Sequence, residues 1–539
     1  MLLRQIDRWA ELAPQQIAHQ YREQILTYSE LKTYSDSLAC WLFQTLKYAS
    51  GKRLPIIVYG HKESEMLVFF LACLKSGHPY IPVDSSIPPE RLLKIIEASG
   101  ATAILSPTAL PEKVKSRDLL WREHLHLAAI FDLAPGHAGP LPEWQIGTTD
   151  VWYIIFTSGS TGEPKGVQIT RHALESFVGW MTKEYQPKLQ QEIFLNQAPF
   201  SFDLSVMDLY IALSQGGTLW SVDQQHIANP KDLFDSLQKS QISYWVSTPS
   251  FAELCLMDPS FRQKLLPRLR YFLFCGEILP HNVASSLLER FPQAQVINLY
   301  GPTECTVAVS GVSITARILA SPGPLPVGQN SAAWQIHICD PDDLDRVIAS
   351  DGNKELFLRS LPPGEKGEIV IAGPNVSLGY LNRPELTKRS FFTWTENDIS
   401  LQAYRTGDIG YWLNGKLYYQ GRRDFQIKLH GYRIELNEIE EQLRKLPEIE
   451  NAVVVPVVRR HKNAALQAFI KLSDNFLELT SKPETAQQDW GQEIRQKLEA
   501  ILPAYMLPQR CIVIANLPLT KNGKIDRQAL RGGQDDSLC

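Results

Sequence analysis

Short apolar runs alternate with longer helix-like segments through most of this chain, from Leu26 to about Ile371. The run 54–59, for example, has the length of a strand and precedes a helix-like segment at 63–77. Apolar runs bounded by turn residues are typical of buried strands, and their alternation with helices is typical of layered α/β sheets. The pattern therefore predicts an α/β fold with parallel strands.

Several of the apolar runs end at turns whose polar or glycine residues could bind a ligand. The runs 244–248, 271–274 and 296–300 each end at a polar or glycine-containing turn, and the run 152–156 leads into a loop at 157–166. Ligands of parallel sheets collect outside the carboxyl ends of the strands. We therefore expect these turns and the loop to contribute to one site.

The loop 157–166 has the composition of a phosphate-binding loop. Its glycines let backbone N–H groups approach an anion, its hydroxyl groups add donors, and Lys165 adds positive charge. No Gly-Lys-Ser or Gly-Lys-Thr follows the first glycine at the distance that a P-loop requires. The loop therefore predicts a nucleotide site of another kind, and a flexible surface linker is the alternative.

The character of the sequence changes near residues 421–424. The following segments are in turn strand-like, helix-like and strand-like: 425–429, 437–446 and 452–458. This order predicts a second, smaller α+β domain that is joined by a short hinge. We place the domains at residues 1–423 and 424–539. The largely polar segment 340–366 is interpreted as a surface insertion.

Length, charge and cysteine content limit the classes of function. The 539 residues exceed the size at which one core stops growing. The net charge of -4, from 54 basic and 58 acidic residues, argues against an electrostatic nucleic-acid-binding protein. The apolar stretches are too short to cross a membrane, the first residues lack a secretory signal, and the eight cysteines include no C-x-x-C pair. We therefore expect a cytoplasmic monomer without a membrane span or bound nucleic acid.

Four further motifs follow the loop in order. They are Asn298-Leu299-Tyr300-Gly301-Pro302-Thr303-Glu304, Tyr404-Arg405-Thr406-Gly407-Asp408, Tyr419-Gln420-Gly421-Arg422-Arg423-Asp424, and Asn522-Gly523-Lys524-Ile525-Asp526-Arg527. With the loop, they make almost the whole chain resemble the adenylate-forming superfamily. The resemblance implies that domain 1–423 binds ATP and an amino acid, and that domain 424–539 is mobile and carries the catalytic lysine.

Adenylate-forming enzymes join a carboxylate to the α-phosphorus of ATP, so two anions must be brought together and their charge neutralised. By resemblance, Lys524 is catalytic, because its long side chain can bridge the substrate carboxylate and the α-phosphate. Glu304 is the implied Mg²⁺ ligand, since magnesium is held by one or two carboxylates and by phosphate oxygens. The implied ATP-binding residues are Thr157, Ser158, Lys165, Asn298, Leu299, Tyr300, Gly301, Pro302, Thr303, Asp408, Tyr419, Gln420, Gly421, Arg422 and Lys524.

Asp408 follows a Thr-Gly pair and is placed to accept hydrogen bonds from both ribose hydroxyls, as an acidic residue does in other nucleotide-binding folds. A structural role is the alternative for several of these residues. Asp408 would then stabilise a turn, Arg422 would be a solvated hinge residue, Glu304 would cap a helix, and Lys524 would be an exposed loop lysine.

The segment 200–208 indicates the substrate class. In the amino-acid-activating branch of the superfamily, an aspartate that matches Asp203 pairs with the substrate ammonium. A buried carboxylate needs such a partner, because its desolvation is costly. The substrate is therefore predicted to be an amino acid, and a solvated loop aspartate is the alternative.

A finer resemblance is to the members of this branch that activate D-alanine. It is carried by the segments 196–203, 247–251, 255–259 and 274–277. It implies that Asp203, Cys275, Val307 and Lys524 bind the amino acid and that Cys275 excludes L-alanine, with a selectivity of only about 1 to 3 kcal/mol for one methyl group. The implied reactants are ATP with Mg²⁺, D-alanine and the phosphopantetheine thiol of a carrier protein, for D-alanylation of teichoic-acid-type polymers.

Two features depart from the family pattern. The segment 340–366 is longer than usual, and Arg423 replaces a smaller or apolar residue beside the hinge, where it could alter the motion. Two alternative functions remain open. One is a free-standing adenylation enzyme of peptide synthesis for another small amino acid, such as glycine or L-alanine. The other is a nucleotide-binding protein without catalysis.

Overall fold

The structure is a computed structural model. It describes residues 2–46, 53–133, 144–159, 163–329, 333–349, 358–396, 399–429, 431–457, 465–473, 476, 489–519 and 525–532. The chain divides into two compact units. The larger unit contains residues 1–85, 96–156 and 166–423, and the smaller unit contains residues 86–95, 157–165 and 424–539. The functional roles that the sequence assigns to the two domains stay predictions.

Strands and helices alternate along the chain up to residue 423, as the hydrophobic pattern predicts. The strands are β1 (Ile17–Tyr21), β2 (Gln24–Thr27), β3 (Ile56–Gly60), β4 (Tyr80–Asp84), β5 (Ala103–Leu105), β6 (Leu120–Arg122), β7 (Val151–Thr157), β8 (Lys165–Thr170), β9 (Ile193–Asn196), β10 (Thr218–Ser221), β11 (Tyr244–Ser247), β12 (Tyr271–Phe274), β13 (Gln295–Tyr300), β14 (Ser310–Ile314), β15 (Gly328–Gln329), β16 (Gln335–Cys339), β17 (Gly367–Ala372), β18 (Phe391–Glu396), β19 (Ile399–Leu413) and β20 (Lys416–Arg422).

The helices of the same part of the chain are α1 (Leu2–Leu12), α2 (Tyr28–Thr45), α3 (Ser64–Lys75), α4 (Pro89–Ser99), α5 (Glu112–Lys115), α6 (Leu127–Leu133), α7 (Arg171–Tyr185), α8 (Leu204–Gln215), α9 (Gln224–Ala228), α10 (Pro230–Ser240), α11 (Pro249–Leu256), α12 (His281–Arg290), α13 (Ala316–Leu319), α14 (Pro341–Ala349) and α15 (Pro384–Ser390). Helix α3 is buried along its whole length, and α8 is buried except at its last residue. Helices that are apolar on all sides are expected in a core position. The α/β prediction is confirmed.

The larger unit contains three sheets. Their strand orders are β14-β13-β12-β11-β9-β10-β1-β2, β6-β5-β3-β4-β7-β8, and β15-β20-β19-β17-β16 with β18 paired to β19. The three runs that the sequence marks as ending at turns are the neighbouring parallel strands β11, β12 and β13. Their carboxyl ends therefore lie at one edge of the first sheet. The loop 157–166 follows β7 and so begins from the second sheet.

The smaller unit is built on a hairpin and a three-stranded sheet. Its elements after residue 423 are β21 (Gln426–Leu429), β22 (Tyr432–Glu435), α16 (Leu436–Arg444), β23 (Ile449–Val457), β24 (Ala465–Leu472), α17 (Trp490–Glu499), β25 (Arg510–Val513) and α18 (Arg527–Gly532). Ile439 and Leu443 of α16 pack with Val454 of β23 in its core. The predicted strand, helix and strand are present, and the sequence interpretation missed β22, which is short and carries polar residues.

The segment 340–366 is not a solvated loop throughout, because it contains helix α14 with Leu344 fully buried. Two aspartates in the first turn of α14 favour the helix through its dipole. Asp345 of α14 accepts a hydrogen bond from Arg423 at 3.3 Å, and Glu368 accepts one from Arg423 at 3.2 Å. The two departures from the family pattern therefore meet in one ion-pair cluster, which also includes Arg405.

Among the described helices, none combines the length and the apolar composition that a membrane crossing needs.

Candidate active site

Asp408, the predicted ribose-binding residue, lies inside strand β19 and not after a turn. Gly407 has a φ of +72°, which glycine adopts without strain, and the pairing of β19 with β17 shifts register around it without ending the strand. The Asp408 carboxylate accepts hydrogen bonds from the Tyr300 hydroxyl at 2.7 Å and from Arg422 Nη1 at 2.5 Å. Arg422 lies opposite Asp408 on β20, and its side chain is only 10% exposed. Arg422 is therefore not solvated and Asp408 does not lie in a turn, and the contact of either residue with a nucleotide stays a prediction.

Two tyrosines complete this cluster. Burial, together with the nearby Asp408 carboxylate, raises the pKa of Tyr300 well above its usual value. The Tyr300 hydroxyl therefore stays protonated and donates to Asp408. The ring centres of Tyr300 and Tyr419 are 6.2 Å apart. Gln420 and Gly421 follow Tyr419 on β20, so the structure brings the predicted residues of β13, β19 and β20 together in the larger unit.

The segment that follows β13 has a tightly constrained backbone. Its predicted residues are Asn298, Leu299, Tyr300, Gly301, Pro302 and Thr303, and they run from the strand into a 3-10 turn at Thr303–Cys305. Asn298 Nδ2 donates to Pro326 O at 2.8 Å. A Cβ atom at Gly301 would lie 2.7 Å from Val307 O and 2.6 Å from Ala308 Cα. Only glycine fits at position 301.

Thr306 and Val307 are strained. Their φ angles are +58° and +69°, which β-branched residues rarely adopt. Such strain persists only where the surrounding structure enforces it, and it clusters at functional sites. Thr306 Oγ1 donates to Asn375 O at 2.8 Å, and Val307 O lies 3.7 Å from the Sγ atom of Cys275, which is 3% exposed. The structure thus brings two predicted amino-acid-binding residues, Cys275 and Val307, into contact.

Asp203 directly precedes helix α8 and is half-buried. It has the helical dihedral angles of -63° and -26°, and its side chain does not cap α8. Tyr153 of β7 is fully buried, and its hydroxyl has no hydrogen-bond partner among the residues described. Burial, and then the Asp203 charge, raise the pKa of Tyr153. Buried polar atoms are normally bonded, so the Tyr153 hydroxyl is a further candidate for ligand contact.

Glu304 is fully buried in the 3-10 turn. Its Oε1 accepts a hydrogen bond from the Tyr380 hydroxyl at 2.8 Å, and its backbone carbonyl accepts one from Ser377 N at 2.8 Å. An oxygen donor held in this way fits a hard cation such as Mg²⁺. The part of the chain that is described contains no group of three or more metal-ligand side chains. Magnesium at Glu304 would therefore depend on phosphate oxygens of the nucleotide.

In the smaller unit, two described donors of the loop, Ser158 Oγ and Gly159 N, bind groups of the chain itself. Ser158 Oγ donates to Arg433 O at 2.7 Å, and Gly159 N donates to Glu438 Oε2 at 3.1 Å. Glu438 is fully buried and also pairs with Arg91. The backbone N–H group of Gly159 is therefore bonded to a carboxylate of the chain itself, and the binding of phosphate by the loop stays a prediction.

The remaining loop residues are only partly placed. The Thr157 hydroxyl is buried, with no hydrogen-bond partner in the described part of the chain. Lys165 is the first residue of β8. The predicted catalytic residue, Lys524, lies outside the described residues, as do loop residues 160–162.

Comparison with known proteins shows the family of the chain. The model of the AMP-binding enzyme family matches residues 6–381, and that of the AMP-binding enzyme C-terminal domain matches residues 438–524. The chain belongs to the AMP-binding enzyme family. Two curated relatives named D-alanine--D-alanyl carrier protein ligase, from Bacillus cereus and Bacillus mycoides, are each 47% identical over 534 residues, which is 98% of this chain and 98% of the relative.

A solved structure gives the same result for the AMP-binding fold. Holo-PA1221, an NRPS protein containing adenylation and PCP domains, superposes with a TM-score of 0.80 at 26% identity, over 98% of this chain and 83% of that one. The predicted superfamily, its α/β architecture and its resemblance to the D-alanine-activating members are confirmed.

The sequence interpretation missed two features of this candidate site. The strained pair Thr306 and Val307 is not apparent in the sequence, because positive φ angles at β-branched residues are imposed by their surroundings. Tyr153 had a signal, since it places a hydroxyl inside the apolar run 152–156, which is otherwise buried as a core strand.

Proposed function

We propose that this enzyme is an ATP-dependent ligase that adenylates D-alanine and transfers the D-alanyl group to the phosphopantetheine thiol of a carrier protein. In the first step a carboxylate oxygen of D-alanine bonds to the α-phosphorus of ATP, and pyrophosphate leaves. In the second step the carrier thiol loses its proton and attacks the acyl carbon, and AMP leaves. The product supplies D-alanylation of a teichoic-acid-type polymer.

The observation that carries this proposal is the 47% identity, over 98% of the chain, to relatives named D-alanine--D-alanyl carrier protein ligase. The site geometry supports it. Cys275 and Val307, two of the predicted amino-acid-binding residues, are buried and in contact. In this proposal the Cys275 side chain excludes a methyl group of the wrong hand.

The candidate site residues of the larger unit have the following roles in this proposal. Asp408, which Arg422 and Tyr300 hold in place, accepts the ribose hydroxyls. Asp203 binds the ammonium group of the amino acid. Glu304 would hold Mg²⁺, which supplies positive charge to the phosphates when it is bound. The other residues proposed to bind ATP in this unit are those of the sequence motifs described above.

Lys524 is proposed to neutralise charge between the substrate carboxylate and the α-phosphate, and Thr157, Ser158 and Lys165 to bind phosphate. The use of ATP favours action in the cytoplasm. The monomeric state and the movement of residues 424–539 between the two steps stay predictions.

ATP–pyrophosphate exchange with a panel of amino acids tests the proposal. The panel contains D-alanine, L-alanine, glycine, D-serine and propionate, which lacks the nitrogen. We expect the highest kcat/KM with D-alanine, and a preference over L-alanine of roughly 5- to 150-fold, because one methyl group separates substrates by about 1 to 3 kcal/mol. A preference for glycine or L-alanine would favour the alternative of a free-standing adenylation enzyme. Equal activity with propionate, or no exchange with any compound, contradicts the proposal.

The second half-reaction has its own test. The enzyme should transfer radiolabelled D-alanine to a phosphopantetheinylated carrier protein and not to the same carrier without the cofactor. Labelling of both forms, or of neither, contradicts transfer to the thiol.

A further inference from the structure

Lys62 is a fully buried lysine to which none of the proposed roles applies. It follows strand β3, and its Nζ donates to Asn196 Oδ1 and to Ala198 O, both at 2.5 Å. The same Nζ lies 4.7 Å from the centre of the Phe200 ring. An ammonium in a core is costly unless its protons are bonded and its charge is compensated. A lysine at this position therefore depends on these three contacts.

The three contacts all lie on the segment 196–203, which connects β9 to α8. Asn196 is the last residue of β9, and its Nδ2 donates to Asp208 Oδ2 of α8 at 3.1 Å. The segment is thus held at two places, by Lys62 at Ala198 and Phe200, and by Asp208 at Asn196. Burial lowers the pKa of Lys62 to about 7, and the Asp208 charge opposes this shift.

Asp203 ends this segment. Phe202 N donates to Pro199 O at 2.9 Å, which closes a turn just before Asp203, and Val206 N donates to Asp203 O at 2.9 Å, which starts the helix. The position of the Asp203 carboxylate therefore follows from the position of the turn. Lys62 holds this turn through its contacts with Ala198 and Phe200.

We propose that Lys62 is a positioning residue, which sets the place of the Asp203 carboxylate for the substrate ammonium. It acts through Ala198 and Phe200 and does not contact the substrate. The inference rests on the proposed function, in which Asp203 binds the amino group. It predicts that the loss of Lys62 weakens the binding of the amino acid and leaves the binding of ATP unchanged.

Lys75 offers a matched control. It is also 0% exposed and lies in the larger unit at the end of α3. Its Nζ pairs with Asp7 at 2.7 Å and with Asp36 at 2.6 Å, and within the described part of the chain none of its hydrogen bonds or ion pairs reaches the segment 196–203. The variant Lys75→Met therefore removes a second buried ammonium from the same unit without loosening that segment.

The test compares Lys62→Met with Lys75→Met in pyrophosphate exchange and in thermal unfolding. For Lys62→Met we expect the KM for the amino acid to rise about tenfold or more, with kcat and the KM for ATP within about threefold of wild type, because ground-state binding is lost. For Lys75→Met we expect a lower Tm with both KM values within about twofold. The inference is overturned if the KM for the amino acid is unchanged in Lys62→Met, or if it rises equally in Lys62→Met and Lys75→Met. It is also overturned if Lys62→Met raises the KM for ATP as much as the KM for the amino acid.

Lys62→Gln keeps the test decisive if Lys62→Met does not fold. Glutamine retains an N–H donor without the charge, so we expect a smaller rise in the same KM. If only Lys62→Gln folds, a KM for the amino acid that equals the wild-type value overturns the inference. The substrate is chosen from the wild-type panel. If wild type accepts an amino acid and the Lys62 variants keep its KM, only this inference fails. If wild type accepts none, the proposed function fails and the inference with it.

Discussion

The Asp408 carboxylate should set the affinity for ATP. Its partners, the Tyr300 hydroxyl at 2.7 Å and Arg422 Nη1 at 2.5 Å, hold it in a fixed orientation, and the residue is only 2% exposed. The variant Asp408→Asn keeps the shape and one acceptor oxygen but loses the charge and the second acceptor. It should therefore lose at least one hydrogen bond from a ribose hydroxyl to a charged group.

Hydrogen bonds to charged groups contribute about 1.5 to 3 kcal/mol, so the loss of one corresponds to roughly a 10- to 150-fold lower kcat/KM for ATP. The loss of the charge also leaves Arg422 without its buried partner. The measurement is pyrophosphate exchange against ATP concentration at saturating amino acid. The KM for the amino acid should stay within about twofold, because Asp408 is assigned to the nucleotide alone.

Glu368→Gln is the control for a general disturbance of the same sheet. Glu368 on β17 is fully buried and accepts hydrogen bonds from Arg405 of β19 at 3.0 and 2.8 Å. Its replacement should lower the Tm and leave the KM for ATP near the wild-type value. The ribose assignment is refuted if Asp408→Asn keeps a KM for ATP within about twofold, or if Glu368→Gln raises that KM to the same extent.

Four further outcomes are expected. Cys275→Ala should lower the preference for D- over L-alanine, measured as the ratio of their kcat/KM values, and an unchanged ratio would contradict its role in selectivity. Glu304→Gln should raise the Mg²⁺ concentration for half-maximal exchange about tenfold, and equal half-saturation in both proteins would argue against it as a ligand. Lys524→Ala should abolish exchange, and a rate near wild type would disprove the catalytic assignment. Burial lowers the pKa of His19 to about 3, below its usual 6.5. As the pH is lowered below 6.5, the unfolded state therefore takes up a proton that the folded state does not. The free energy of unfolding falls as the pH is lowered from 6.5 to 3, by up to about 1.4 kcal/mol per pH unit. His19→Gln should flatten this slope in urea unfolding between pH 7 and 5, and an equal slope would contradict it.

Those parts of the fold that depend on local patterns could be predicted from the sequence. Apolar runs of strand length gave β11, β12 and β13, and the order of parallel strands places their ends at one edge. The short strand β22 has no such run, and the sequence around Gly407 is typical of a turn because glycine is common in turns, although the strand continues through it. Whether a strand ends at such a glycine depends on its neighbours in the sheet.

The candidate site was predictable where a motif is continuous and less so where side chains meet from distant segments. The motifs named Asp408 and Arg422, but their pairing follows from the register of β19 and β20. The roles of Tyr153 and Lys62 depend on burial and on hydrogen-bond partners far along the chain, which the sequence does not display. The meeting of Arg423 with helix α14 is a contact of the same kind.

The left-handed pair Thr306 and Val307 has a consequence for engineering this protein. Each strained residue of this kind destabilises the fold by about 1 to 3 kcal/mol, but glycine at either place would also delete a fully buried side chain and, at position 306, the hydrogen bond to Asn375 O. The same glycine would loosen the backbone carbonyl that contacts Cys275. A search for heat-resistant variants would therefore tend to keep both residues, and with them the strained backbone.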